Sequence, residues 1–505
     1  MGLSTDQDSD RLDRSVIVTG LVIVAGMVMV VLDTTIVNVA LESLSTELDS
    51  ALSTTQWVVT GYLLSVAIVI PITGWAMDRF GQKPVWITAV SLFVVGSALC
   101  AAAWSIESLI LFRIIQGLGG GMLIPGGQAI ITRTAGPQRL GRAMAILGVP
   151  MLLGPVFGPV IGGLLVEYTS WHWIFIVNVP VGMVAVSLAV WKLPHGDGLP
   201  ERRRLDVRGL VLLSGSLVFL VYGLSRVGSH GGFTGWGVFG WLLAGGGGLA
   251  FYTWHSLRWG ARAIIDVRLL TDRLFGSASV AVLLVGIGLF GGMLLLPLYY
   301  QAARGEGALA AGLLLAPQGL GAVTAMVIGG RLTDRIGAGY VVPVGVVLAL
   351  IGTLPFTQLD VDTSYVWLSV ALFVRGMGLG SVMMPTMAAA YTNLPKEAVT
   401  RAAPTLSAIQ QVGASLGSAV VVTALTQHFS HELTAQGIPS GGSGTDRINS
   451  ISPESMSVVG PLLTNAFGYA FWVTFALTAL IMIPALFMPR HRNRTRDAAP
   501  DIAGM

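Results

Sequence analysis

The strongest constraint in this sequence is a series of long apolar segments that recurs from Val16 to Met488. Many run for about 18 residues or more, which lets a helix cross roughly 30 Å of hydrocarbon at about 1.5 Å per residue. Hydrophobic residues make up 53% of the chain and charged residues only 11%, whereas an average soluble domain has about 25% charged residues. The sequence therefore predicts an all-α polytopic membrane protein.

Apolar windows separated by polar breaks predict fourteen membrane-spanning helices. Their starts lie near Val16, Thr55, Pro84, Glu107, Gly141, Trp171, Val207, Trp236, Leu274, Leu309, Tyr340, Tyr365, Ala402 and Gly460. We expect two pseudo-symmetric six-helix bundles with spans 7 and 8 inserted between them. The predicted units are an N-terminal tail (1–15), a bundle of spans 1–6 (16–193) and a linker with the inserted spans (194–273). A bundle of spans 9–14 (274–488), with one long outside loop at 429–457, and a C-terminal tail (489–505) follow.

The distribution of basic residues predicts the orientation. If the N-terminus is inside, the tails and the inside turns hold 24 of the 29 Lys and Arg residues, and the outside turns hold three. The remaining two, Arg113 and Arg375, lie inside spans. The positive-inside rule then places both termini in the cytoplasm, and we expect the membrane to be a bacterial plasma membrane.

An internal repeat supports two related halves. An eight-residue stretch of the first half returns 256 residues later with its glycines and its Asp-Arg pair kept, as Gly74-Trp-Ala-Met-Asp78-Arg79-Phe-Gly81 and Gly330-Arg-Leu-Thr-Asp334-Arg335-Ile-Gly337. A duplicated charged pair with flanking glycines is hard to explain as a solvated turn. Transporters built from repeats place their substrate site near the midplane, between the halves.

Asp33 is the one acid that lies well inside a predicted span. An acid at such a position costs about 2.5 to 3.5 kcal/mol on insertion scales, so it should face protein or a cavity. The rise per residue places Asp33 and Arg113 at similar depth, roughly 12 and 9 Å below the outer end. The two could form a static ion pair or a pair that exchanges a proton. Arg375 has no obvious partner, and a structural and a substrate role are both open.

Several other functions find little support. The basic residues lie in short loops rather than in one patch, which argues against nucleic acid. Cys100 is the only cysteine, and His428 and His431 have no convergent acid or cysteine, so we expect no metal. No Walker A sequence occurs, so we expect no nucleotide. We predict no cofactor and no catalytic residues; energy would come from an ion gradient, a partner chain or downhill flow.

Four motifs together resemble the major facilitator superfamily, specifically its fourteen-span drug:proton antiporter branch, over nearly the whole chain. Gly74 to Lys83 resembles the cytoplasmic gate motif, although Gln82 stands where the family usually has a base. The stretch Leu32 to Leu41 is similar to the first-span motif, and Arg113 to Gly117 to the motif tied to proton coupling. The antiporter motif is matched by Gly154, Gly158, Pro159, Gly162 and Gly163. For these glycines alone, close packing of two helices is an equally good interpretation.

The resemblance implies roles for named residues. Gate residues would be Gly74, Asp78, Arg79, Gly81, Lys83, Asp334 and Arg335. Asp33 would carry the proton and Arg113 would tune it. We expect the substrate cavity to be lined by Asp33, Tyr62, Arg113, Gln116, Phe157, Tyr299, Tyr300 and Gln318.

These expectations predict a proton-coupled exporter of amphipathic, cationic or neutral organic compounds that works by alternating access, as a monomer surrounded by membrane lipid. An exporter of an endogenous lipid or secondary metabolite is the alternative within the same class. A channel would need a continuous polar pore, and a membrane enzyme would need clustered catalytic groups. Neither pattern is present in the sequence.

Overall fold

The structure is a computed structural model, and it describes residues 13–136, 139–194, 204–227, 233, 235–360, 362–392, 394–436 and 456–488. Within these residues the regular structure is helical, without strands, as the sequence predicts. The first part contains α1 Arg14–Glu47, α2 Leu52–Thr55, α3 Trp57–Val69, α4 Ile72–Phe80, α5 Gln82–Ala101, α6 Ile106–Ala135, α7 Leu140–Tyr168, α8 His172–Ile176 and α9 Asn178–Lys192. The second contains α10 Val207–Ser225, α11 Trp236–Trp259, α12 Arg273–Leu298, α13 Ala308–Ile336, α14 Ala338–Thr353, α15 Tyr365–Tyr391, α16 Lys396–Ala435, α17 Met456–Ala479 and α18 Met482–Ala485.

Local sequence explains where several helices begin. The side chains of Asp13, Asp206 and Asp272 accept hydrogen bonds from the first free backbone N–H groups of α1, α10 and α12. Ser105 and Ser108 form a reciprocal capping box at the start of α6. Such caps satisfy donors that the helix itself cannot pair. In hydrocarbon this matters more, because no water is available to pair them.

Within the described residues, eleven helical segments are long and apolar enough to cross a membrane. The pair α3 and α4, bent by 53° at the break that contains Pro71, makes a twelfth if it is one span. Proline removes a backbone donor and crowds the preceding turn, which explains the bend. The long helices α7 and α11 occupy the places of predicted spans 5 and 8. The expectation of fourteen spans, two six-helix bundles plus two inserted helices, stays a prediction.

Buried apolar residues are organised differently at the two ends of the molecule. We call the end that holds Val16 and Met488, which belong to one buried cluster, the terminal end, and the opposite one the far end. The terminal-end cluster combines residues of α1–α9 with residues of α12–α18. At the far end, one cluster draws only on α1–α9 and their connections, and another only on α12–α17 and theirs. The two sets of helices therefore share a core at the terminal end and have separate cores at the far end.

The helices α10 and α11 lie outside this arrangement and cover its seam. Leu213 and Leu217 of α10 are buried in one cluster with Ala67 of α3 and Ala408 of α16. Ser214 of α10 also donates to the carbonyl of Ile68, at 2.8 Å. The pair thus contacts one helix from each side of the molecule.

Candidate functional site

Asp33 is at the centre of a buried polar cluster in α1–α9. Its carboxylate is fully buried and accepts hydrogen bonds from three side chains. Arg113 Nη1 donates to Oδ2 at 2.5 Å, while Gln116 Nε2 and Asn178 Nδ2 donate to Oδ1 at 2.8 and 3.1 Å. The donors come from α6 and α9, so the carboxylate of α1 joins three helices. A buried carboxylate needs such donors because desolvation strongly disfavours an unpaired charge.

The Arg113 guanidinium is held on several sides. Its Nε donates to the carbonyl of Val58 at 3.1 Å, and Nη1 also donates to Gln116 Oε1 at 2.6 Å. The guanidinium carbon lies 4.1 Å from the centre of the Tyr62 ring, a cation–π contact. Arg113 itself is 1% exposed. The ion pair with Asp33 is therefore sealed from solvent in this conformation.

Glycines of α7 bring that helix against α1 around Asp33. A Cβ on Gly154 or Gly158 would collide with Val31 or Thr35, and one on Gly162 would lie tightly against Ile36, at 3.1 Å. Thr35 Oγ1 also donates to the Gly154 carbonyl at 3.3 Å. The small-residue stripe thus acts as a close packing surface for the helix that bears Asp33. The side chain of Pro159 lies outside the described part of the structure, and Gly163 is only partly buried.

The duplicated Asp-Arg sequence forms two matching turns. Gly81 ends α4 with φ 88° and ψ 159°, and Gly337 ends α13 with φ 89° and ψ 155°. A positive φ near 90° is readily adopted only by glycine. In both copies the next helix begins at the following residue.

The second copy contacts the opposite half of the molecule directly. Asp334 Oδ1 accepts from the backbone N–H of Gly141 at 2.8 Å, and Oδ2 accepts from Arg142 Nε at 2.8 Å. The backbone N–H of Arg142 also points to Oδ2, at 3.3 Å. Because these donors lie at the start of α7, the carboxylate caps that helix and neutralises its partial positive charge. Gly330 and Gly141 let the two helices approach, since a Cβ on either would crowd the other's carbonyl.

The first copy of the Asp-Arg turn also contacts the opposite half of the molecule. A Cβ on Gly74 would collide with the backbone carbonyl of Thr400 in α16. Asp78 is 6% exposed and lines a small cavity together with Arg401, which lies on α16 like Thr400. Lys83 donates to the carbonyl of Val190 at 2.7 Å, at the end of α9, and its expected gate role stays a prediction.

The arginines of the two turns are both exposed. Arg79 packs over the rings of Trp75 and Phe80. Arg335 is exposed, and it too follows its aspartate directly in sequence.

The residues expected to line a substrate cavity lie in four places. Tyr62, Arg113 and Gln116 belong to the Asp33 cluster, whereas Phe157 is 47% exposed. Tyr299 and Tyr300 are buried in the far-end cluster of α12–α17, where Tyr299 packs edge-on against Phe467. Gln318 accepts from Arg375 at 2.8 Å, deep in the same half. A shared cavity for this set stays a prediction.

Sequence reasoning missed three partners of the cluster, one of which is Cys100, whose Sγ donates to Gln116 Oε1 at 3.6 Å. Asn178 donates to Asp33, and Ser97 accepts from Gln116 Nε2 at 2.7 Å. Asn178 could have been found, because an amide side chain within the apolar stretch of span 6 needs a polar partner. Ser97 carries no such signal, since serine readily bonds to its own helix in membrane spans.

Comparisons with known proteins agree with this architecture. The family model for the Major Facilitator Superfamily matches residues 23–420. A relative from Mycobacterium tuberculosis strain H37Rv, named multidrug resistance protein B homolog, is 38% identical over 97% of this chain and 93% of its own length. A putative multidrug resistance protein MdtD from Cronobacter sakazakii is 31% identical over 93% of each chain.

Solved structures show the same fold at low sequence identity. The proton:xylose symporter XylE matches with a TM-score of 0.61, at 14% identity, over 94% of this chain and 95% of its own. The human organic anion transporter MFSD10 matches with a TM-score of 0.58, at 16% identity, over 92% of this chain and 99% of its own.

The fold and the buried Asp33 cluster define a polytopic membrane transporter. The chain belongs to the major facilitator superfamily, and the relatives reported above carry the names of multidrug resistance proteins.

Proposed function

We propose that the protein exports amphipathic small organic compounds in exchange for protons, by alternating access between two six-helix bundles in a chain of fourteen spans, two of them inserted between the bundles. The observation that carries the proposal is Asp33, a fully buried carboxylate that accepts from three side chains at the centre of a span. The names of the relatives support drug efflux as the direction and kind of transport. The positive-inside distribution supports cytoplasmic termini, which makes the terminal end cytoplasmic.

Protonation of Asp33 would act on the contacts between α1, α6 and α9. The neutral acid no longer attracts Arg113, and removing one member of a buried ion pair costs about 3 to 5 kcal/mol unless the structure rearranges. Movement of α1 relative to α6 would relieve this cost. A proton bound at Asp33 would in this way change the relative stability of two conformations, as coupling requires.

The two arrangements of the apolar core support alternating access. A shared core and the Asp334 cap hold the halves together at the terminal end, whereas the far-end cores are separate. This is the arrangement expected when the cytoplasmic side is closed. Because the opposite state must break the terminal-end contacts, the gate residues would control the inward opening.

Proton release on substrate binding tests the coupling site. Purified protein in weakly buffered detergent is mixed with cationic, neutral and lipid-like compounds, and released protons are measured from acidic to alkaline pH. Asp33→Asn should release fewer protons per bound compound than wild type, and cations should lose more affinity than neutral compounds. Glu107→Gln, which removes an exposed acid at the far end, serves as the control. Equal release by Asp33→Asn and wild type would place the coupling site elsewhere.

A further inference from the structure

Arg375 is a buried cation without an acidic partner among the described residues. It lies in the interior of α15 and is 1% exposed. Its Nη1 donates to Gln318 Oε1 at 2.8 Å, while Nε has no hydrogen-bond partner. The ion pairs found in the described part of the chain involve other residues. The second buried arginine, Arg113, by contrast has Asp33.

The described part of the second half offers no acid at the depth of Arg375. Its acids after α12 begins lie in a connection or within about one turn of a helix end, at Glu306, Asp334, Asp360, Asp362, Glu397 and Glu432. An internal ion pair like that of Arg113 would need an acid in mid-span.

Arg375 and Arg113 have related surroundings in the two halves, although Arg375 aligns with Gln116, one turn beyond Arg113, because Gly96 and Gly352, which are 256 residues apart, pack against Gln116 and Arg375. Each lies on the second helix after its Asp-Arg turn, and each donates to a glutamine. Each guanidinium also meets the first helix of its half. There Arg113 meets the carboxylate of Asp33, whereas Arg375 meets Gly292, where a Cβ would collide with Nη2. Glycine thus stands where the other half supplies the negative charge.

A charged guanidinium in an apolar interior needs a counter-charge, because desolvation of an unpaired ion is strongly unfavourable. The surroundings restrict what can supply one. The guanidinium packs closely against α12 and α17, since a Cβ on Gly292 would collide with Nη2 and would lie 3.1 Å from Thr474. A group that neutralises Arg375 here must therefore be small. Since Gln318 Oε1 accepts from Arg375, its NH₂ group is left as a further donor.

We propose that Arg375 and Gln318 form a binding site for a small anion, either a chloride-sized inorganic ion or a carboxylate group, beside Gly292. The site is separate from the Asp33 cluster and does not depend on proton exchange. The bound anion supplies in the second half the negative charge that Asp33 supplies in the first. Its role is to neutralise Arg375 and stabilise the packing of α12, α13 and α15.

Anion-dependent thermal unfolding of the purified full-length protein tests the proposal. The protein is kept at constant ionic strength in the sodium salt of a bulky sulfonate, which is replaced stepwise by chloride, bromide or acetate. Wild type should show a saturable rise in unfolding temperature, because a ligand that binds only the folded state stabilises it. A response to chloride and bromide identifies an inorganic ion, and a response to acetate alone identifies a carboxylate group.

Two variants of the site and one control variant separate binding at the site from general salt effects. Gln318→Glu places a carboxylate on Arg375 with little change of shape, so it should unfold at a higher temperature in the bulky salt and lose the anion response. Arg375→Gln should also lose the response. Gln301→Glu makes the same chemical change at an exposed position of this half and should respond like wild type. The proposal is overturned if wild type does not respond, or if Gln318→Glu responds as strongly as wild type.

Discussion

Asp334→Asn is the most direct test of the terminal-end contact. The aspartate accepts three hydrogen bonds across the two halves, one from the Arg142 guanidinium, and both side chains are largely buried, at 8% and 12% exposed. A hydrogen bond to a charged group contributes about 1.5 to 3 kcal/mol, and a helix cap about 1 kcal/mol. Asparagine keeps the shape and one acceptor, so we expect a loss of about 2 to 3 kcal/mol.

In the alternating access proposed above, these contacts exist only while the terminal end is closed, so the loss should act on the conformational equilibrium. A change of about 1.4 kcal/mol shifts a ratio tenfold, so the ratio of closed to open terminal end should fall by about 30 to 150-fold. Spin labels can report this, because the only native cysteine, Cys100, is fully buried. Cysteine pairs that carry the labels would replace the exposed residues Phe80 and Tyr340 at the terminal end, or Trp104 and Val366 at the far end.

Pulsed electron-spin distance measurements should then show a longer terminal-end distance and a shorter far-end distance in Asp334→Asn. Asp360→Asn, which removes an acid from the far-end connection before α15, serves as the control. The reasoning is wrong if Asp334→Asn has the wild-type distributions at both ends while the protein remains folded.

Three further predictions concern the same two sites. Asp78→Asn should leave folding largely intact but reduce transport in proteoliposomes; unchanged flux would argue against a gate role. Gly74→Ala should open the terminal end more than Gly330→Ala, because its methyl group meets a fixed carbonyl of α16 at closer range; equal spin-label distances in the two variants would contradict this. Asn178→Leu should lower the temperature of unfolding by leaving Asp33 with one donor fewer, a loss of about 1.5 to 3 kcal/mol; an unfolding temperature equal to that of wild type would show that the bond contributes nothing.

Much of the candidate site could be predicted from the sequence because membrane spans expose strong one-dimensional signals. An acid in hydrocarbon is conspicuous, and depth follows from the rise per residue, which is why Asp33 and Arg113 could be matched before the structure. The gate turns were recognisable because a positive φ requires glycine, and the repeat supplies two copies. Neither inference required knowledge of how the helices pack.

The role of the residues expected in the cavity stays a prediction, because the sequence does not decide it. Tyr299 and Tyr300 are amphipathic rings near a span end, a pattern shared by cavity, interface and core positions. Which of these applies depends on how α12 is rotated toward α17, and that rotation results from many packing contacts together. Lys83 is a similar case, since its reach allows several acceptors and the position of α9 decides between them.

Sequence alone thus determined the helical class, the order of the apolar segments, the repeat and the depth of the two buried charges, because each follows from local composition, spacing or the rise of a helix. Tertiary structure alone decided that Asn178 meets Asp33, that Asp334 caps α7 across the halves, that Arg375 meets a glycine instead of an acid, and that the shared core lies at the terminal end. These features depend on the relative rotation and register of helices far apart in the chain. No local pattern encodes that geometry, because it is fixed by the sum of side-chain contacts between the helices.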